Sequence, residues 1–153
     1  MKHRNGFVTN SSSSSFILGF KSKDTIAEEL LNDNCEEYFE RILRDCNAAD
    51  KMTLEEMLKE VEEDFEWPAS CYLEWDSPKA KSMNWVERSQ WARSEEFEKL
   101  VTEEVQRRMN MLKEKANGNN VFVSVSYSDY SDGELEHEIV PNLNCCLQRF
   151  NYH

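Results

Sequence analysis

Glycine and proline are scarce, four and three in 153 residues, which excludes collagen-like and linker-type chains. Cysteine occurs five times, an odd number without a repeated spacing, so the thiols read as free and a disulfide framework is not expected. Only three histidines are present, and His3 and His153 lie at the ends, which leaves His137 and little material for general-base catalysis. No apolar run approaches the roughly 18 residues of a spanning helix, so no membrane association is expected. Met1-Lys2-His3-Arg4 is followed by Asn-Gly-Phe-Val-Thr-Asn and five serines, where a signal peptide needs an apolar stretch, and a cytoplasmic location is expected. Basic side chains are outnumbered, 18 against 30, giving a formal net charge of −12.

What is present is unevenly placed. Residues 24–66 hold 16 acids against Arg41, Arg44, Lys51 and Lys59, so this one stretch carries the whole excess of negative charge. Residues 1–23 contain Lys2, Arg4, Lys21 and Lys23 and no acid. Hydrophobic residues make up 39% and aromatics 11%, enough for a folded core, and the length predicts a single domain over 1–153.

Phe16-Ile-Leu-Gly-Phe20, a short apolar run between serines and Lys-Ser-Lys, predicts a buried strand. A short helix follows from Asp24 through Ile26, Leu30 and Leu31, with Ser22 or Asp24 able to cap it. Cys35, Phe39, Ile42, Leu43 and Cys46 form one helical stripe, and Leu54, Met57, Leu58, Val61 and Phe65 another after the capping box Thr53-Leu-Glu-Glu56. Trp67-Pro68 is expected to stop that third helix. Alternation over 71–75 permits a short strand, and Asp76-Ser-Pro78 a turn or helix start. A long helix is predicted from Ser94 to about Lys115, stopped by Asn117-Gly118. Val121–Tyr127 and Leu135–Val140 around Asp129–Gly133 predict a β-hairpin over 121–140, with 142–153 an indeterminate tail. The expected fold class is α+β: a small antiparallel sheet of the N-terminal strand and the C-terminal hairpin, covered by about four helices.

Arg4-Asn-Gly6-Phe-Val-Thr9-Asn-Ser11 to Phe16 resembles the opening of a group of small, mostly uncharacterised bacterial and bacteriophage proteins, R-x-G-F-V-S-N-S-S-S-S-S-F followed by a hydrophobic strand. Thr9 replaces the usual serine and keeps a hydroxyl. The resemblance covers about the first 20 residues and implies a phage or mobile-element relative, without an activity to transfer. In physical terms, residues 1–15 read as a polar lead-in whose hydroxyls bond local backbone. Alternatively Arg4, Ser11, Ser12 and Ser13 form an anion-binding loop, and the chain is a small nucleotide- or anion-binding enzyme with its site there. No Walker or dinucleotide glycine pattern accompanies it.

Cys145-Cys146 lacks zinc-knuckle spacing, and Asp129, Asp132, Glu134, Glu136 and Glu138 lack EF-hand order, so no catalytic residue, metal or cofactor is assigned. All four tryptophans fall within 67–91. Trp67, Tyr72, Trp75, Trp85 and Trp91 are candidate partner-binding anchors, the alternative being that they cap the core between helices. Glu55, Glu56, Glu60, Glu62, Glu63 and Asp64 supply a field that attracts a basic surface and repels nucleic acid. The leading expectation is therefore a non-catalytic acidic interaction protein of phage or mobile-element type. Its partner would be a basic protein surface. One version is an inhibitor that mimics nucleic acid on a nucleic-acid-binding host defence complex.

Overall fold

The computed structural model describes residues 13–152, which pack as two compact units. One is Leu58–Lys113; the other joins the chain up to Met57 with the chain from Glu114 onward. The fold is α+β, with one three-stranded antiparallel sheet and, among the described residues, six regular helices rather than about four.

The sheet belongs to the discontinuous unit. Strands β1 (Ser13–Phe20), β2 (Val121–Ser128) and β3 (Cys146–Tyr152) take the order β2-β1-β3. β1 is the central strand because its residues can be buried on both faces. Phe16, Leu18 and Phe20 join Val123, Val125 and Tyr127 in a core closed by Ile26, Leu30, Ile42 and Cys46, while Ile17 is 2% exposed on the opposite face. Register pairs Phe16 with Val125 on one side and with Arg149 on the other, and slips at Ile17/Leu18 against β3. The expected strand over 16–20 is lengthened by Ser13, Ser14 and Ser15; the Ser14 hydroxyl donates to Glu136 and the Ser15 hydroxyl meets that of Ser126 at 2.8 Å.

The predicted hairpin does not form. β2 is a strand as expected, but a kinked helical segment Asp129–Glu134, a π-helical turn Leu135–Ile139 and a 3₁₀ turn Val140–Asn142 follow it. Leu135 and Ile139 suit helical spacing as well as alternation, whereas Val140 fits only the helical one, and the Ser128 side chain accepts from the Tyr130 N–H to start the turn. The expected tail is instead β3, and it pairs with β1, not β2.

Helices α1 (Ile26–Leu31) and α2 (Phe39–Ala48) cover the β1 core through the stripes expected of them, although Leu31 is 68% exposed. Tyr127 ties α2 to the sheet by donating its hydroxyl to Asp45 Oδ2 at 2.8 Å, and Arg41 bridges Asp45 (3.3 Å) and Asp132 (3.0 Å). Helix α3 (Leu54–Glu62) starts at the capping box: Glu56 N–H donates to Thr53 Oγ1 (3.2 Å), and Thr53 N–H donates to Glu56 Oε1 (2.9 Å).

In the Leu58–Lys113 unit, α3 passes through a 3₁₀ turn, Glu63–Phe65, into α4 (Glu66–Cys71). Pro68 does not end the helical run, because it is the third residue of a newly started helix, where an N–H has no intrahelical partner to lose. Residues 71–75 are not a strand: Tyr72–Asp76 is a π-helical turn. Ser77 caps the single turn Pro78–Lys81, and Asn84 with Glu87 forms a capping box for α5 (Trp85–Trp91). Ser94 Oγ accepts from Phe97 N–H at 3.2 Å at the start of α6 (Glu95–Lys115). Trp91 meets Phe97 edge-on, with ring centroids 5.0 Å apart, in a core with Ala80.

Candidate functional site

Helical spacing puts Met57, Val61 and Phe65 on one side of the run α3–α4, and all three are buried. The other side carries Glu55, Glu56, Glu60, Glu62, Glu63 and Glu66, all exposed, with Lys59 the one basic residue between Leu54 and Cys71. Asp64 is half-buried; it, Glu60 and Glu63 each keep an interaction within the protein. Trp67 falls four residues after Glu63, on the same side, and is 70% exposed.

Of the four tryptophans, only Trp91 packs into a core. Trp75 and Trp85 are 55% and 72% exposed. Trp75 already holds a cation: the Arg88 guanidinium lies 4.4 Å from its ring centroid. The sequence could not separate Trp91 from the others, because helical spacing near Pro68 and Pro78 depended on where each short helix restarted.

Ser13 is the first residue of β1, and Arg4, Ser11 and Ser12 lie outside the described residues. The next serine enters a network that composition gave no reason to suspect. Ser14 Oγ donates to Glu136 Oε2 at 2.7 Å, accepts from Arg149 Nε at 3.1 Å, and lies 2.8 Å from the Asn151 carboxamide. Glu136 is fully buried, and Arg149 Nη2 stands 3.9 Å from it. His137 Nε2 lies 3.0 Å from Asp129 Oδ1 and 3.2 Å from Glu136 Oε1, while its Nδ1 faces Arg149 Nη2 at 3.3 Å. A guanidinium only donates, so Nδ1 accepts and the ring proton sits on Nε2.

Asp129, Glu136 and His137 offer three ligand atoms within 4.8 Å of one another, the grouping a metal ion would use. A metal on Nε2 would need the lone pair there and the proton on Nδ1, against Arg149 N–H. The arrangement is a satisfied polar network that ties β1 and β3 to the 129–139 segment. The expected hairpin over 121–140 would hold Glu136 in its second extended segment. The helical turn instead puts it inward.

Thiol chemistry is suppressed as well. Burial pushes Cys35 up to about 11 and Cys46 up to about 12, with Asp33 and Asp45 adding to the effect, respectively. Burial likewise raises Cys145, and takes Cys146 to about 11. All four are protonated at neutral pH and serve as small apolar side chains.

No family model matches the chain, and neither a curated protein nor a solved structure is significantly similar to it.

Proposed function

We propose that the protein is a non-catalytic, acidic interaction protein of phage or mobile-element type that docks on a basic protein surface. The observation that supports this reading is the outer side of the helical run 60–67, where four exposed glutamates, Glu60, Glu62, Glu63 and Glu66, precede an exposed Trp67. An indole in a carboxylate field fits a surface rich in lysine and arginine: the charges steer the encounter, and the ring supplies buried area and a cation-accepting face. A nucleic-acid mimic that occupies the channel of a host defence complex is the most specific form of this reading, with carboxylates standing where phosphates would.

Co-purification from the source cell, followed by binding kinetics at rising salt, tests it. Association should slow steeply between about 0.05 and 0.5 M salt as the Debye length contracts. Reversing Glu55, Glu56, Glu62 and Glu63 to lysine should slow association further, while Trp67→Ala should act mainly on dissociation, at a cost above about 1 kcal/mol. An affinity indifferent to salt would count against the proposal.

A further inference from the structure

At the end of β1 remote from Ser13 lies a cavity of about 370 Å³. That is within the range of about 300–1,000 Å³ typical of small-molecule sites. Its wall is assembled from four places in the chain: Lys21 just after β1, Glu28 and Asn32 on and after α1, Asn119 before β2, and Asn144 before β3. The frame is braced from within. Asp33 accepts from the backbone N–H of Asn144 at 3.0 Å and of Cys145 at 3.2 Å, and Gly19 N–H donates to the Cys145 carbonyl at 2.9 Å. Glu29 accepts from Thr25 Oγ1 at 2.6 Å and from Lys21 N–H at 3.0 Å.

Those two carboxylates are occupied in holding the walls. The groups left over are different in kind. Among the described residues, no hydrogen bond or ion pair engages the Lys21 ammonium, the Glu28 carboxylate or the carboxamides of Asn32, Asn119 and Asn144. Lys21 and Glu28 thus line one cavity with opposite charges that do not neutralise each other, beside three groups that each donate and accept. A simple anion meets one ammonium against Glu28, Glu29 and Asp33, so it is disfavoured. A ligand carrying both charges answers both walls at once.

We propose that this cavity binds a free α-amino acid, with its carboxylate on Lys21, its ammonium on Glu28 and a polar side chain among the asparagines. The proposal is independent of the docking surface on α3–α4. Titration of the ¹⁵N-labelled protein with L-glutamine and L-serine tests it. The amide signals of Lys21, Asn32, Asn119 and Asn144 should shift, with a Kd near or below about 1 mM. Lys21→Met and Glu28→Gln should each weaken binding tenfold or more, and Lys23→Met, outside the cavity, should not. Both side chains are exposed, so the fold should tolerate the changes; Asn32→Ala supplies an independent third variant. The inference is overturned if neither amino acid shifts those signals or if the variants bind unchanged. It is also overturned if a carboxylic acid lacking the ammonium binds as tightly, since that would mean recognition of an anion only.

Discussion

Ser14 donates its hydroxyl to the fully buried carboxylate of Glu136 across 2.7 Å, joining the central strand to a helical turn 122 positions later in the chain. A buried carboxylate is tolerated only where donors replace water. Ser14→Ala removes a donor to Glu136 and an acceptor from Arg149, with an expected loss of about 1–3 kcal/mol in urea unfolding. Ser14→Ala and Glu136→Gln should be strongly non-additive in a double-mutant cycle, and additive effects would show the bond to be incidental.

Glu104, 9% exposed, receives Arg107 through two hydrogen bonds, 2.9 and 2.6 Å, and Arg108 Nε at 2.8 Å. Hydrogen bonding from Arg107 first, then Arg108, holds its carboxyl below the usual range against the opposing effect of burial. A group depressed in the folded state stabilises above its unfolded pKa of about 4.3 and loses that contribution as pH falls through its lower folded value. Unfolding at pH 7, 5 and 3 should therefore show wild type ahead of Glu104→Gln at the first two and the gap closing at the third. A gap that does not change with pH would contradict this.

Cys35 and Cys46 are both protonated and covered. Alkylation by iodoacetamide at pH 7.5 should reach them only when the protein opens, so their labelling should rise in step with denaturant-induced unfolding. Mass spectrometry after a short pulse would resolve each site, and rapid labelling in native buffer would be the contrary result.

Two glycines should respond to alanine for different reasons. At Gly19 a Cβ would stand 2.8 Å from Leu147 Cδ1 and 3.2 Å from Phe122 Cε1, an overlap in the sheet worth about 1–3 kcal/mol. At Gly118 nothing lies within 4 Å, but φ is +91°, so the cost is backbone strain alone, about 1 kcal/mol. Melting temperatures of the two variants should rank in that order.

The parts of the fold legible in the sequence were those where local signals agreed. Thr53 and Glu56 marked their helix start, the spacing from Phe97 to Leu112 marked α6, and the apolar run at Phe16 marked the first strand. Leu135–Val140 misled because Leu135 and Ile139 satisfy both periods, and the choice between them was made by β1, which took Cys146–Tyr152 as its second neighbour. Pro68 misled because its effect depends on whether a helix has just begun. At the candidate docking surface, carboxylate clustering was plain from composition, whereas the exposure of Trp67, Trp75 and Trp85 needed coordinates. The network around Glu136 had no sequence signal, since its members are spread from Ser14 to Asn151.

The central position of β1 has a consequence for biosynthesis. Ser13–Phe20 leaves the ribosome well before Val121–Ser128 and Cys146–Tyr152, the two strands that flank it. Until those strands emerge, this apolar segment lacks both of its partners and should be open to pairing with a neighbouring nascent copy or to capture by a chaperone. Yield in the cell should therefore depend on elongation speed and chaperone supply more than the finished molecule's stability would suggest.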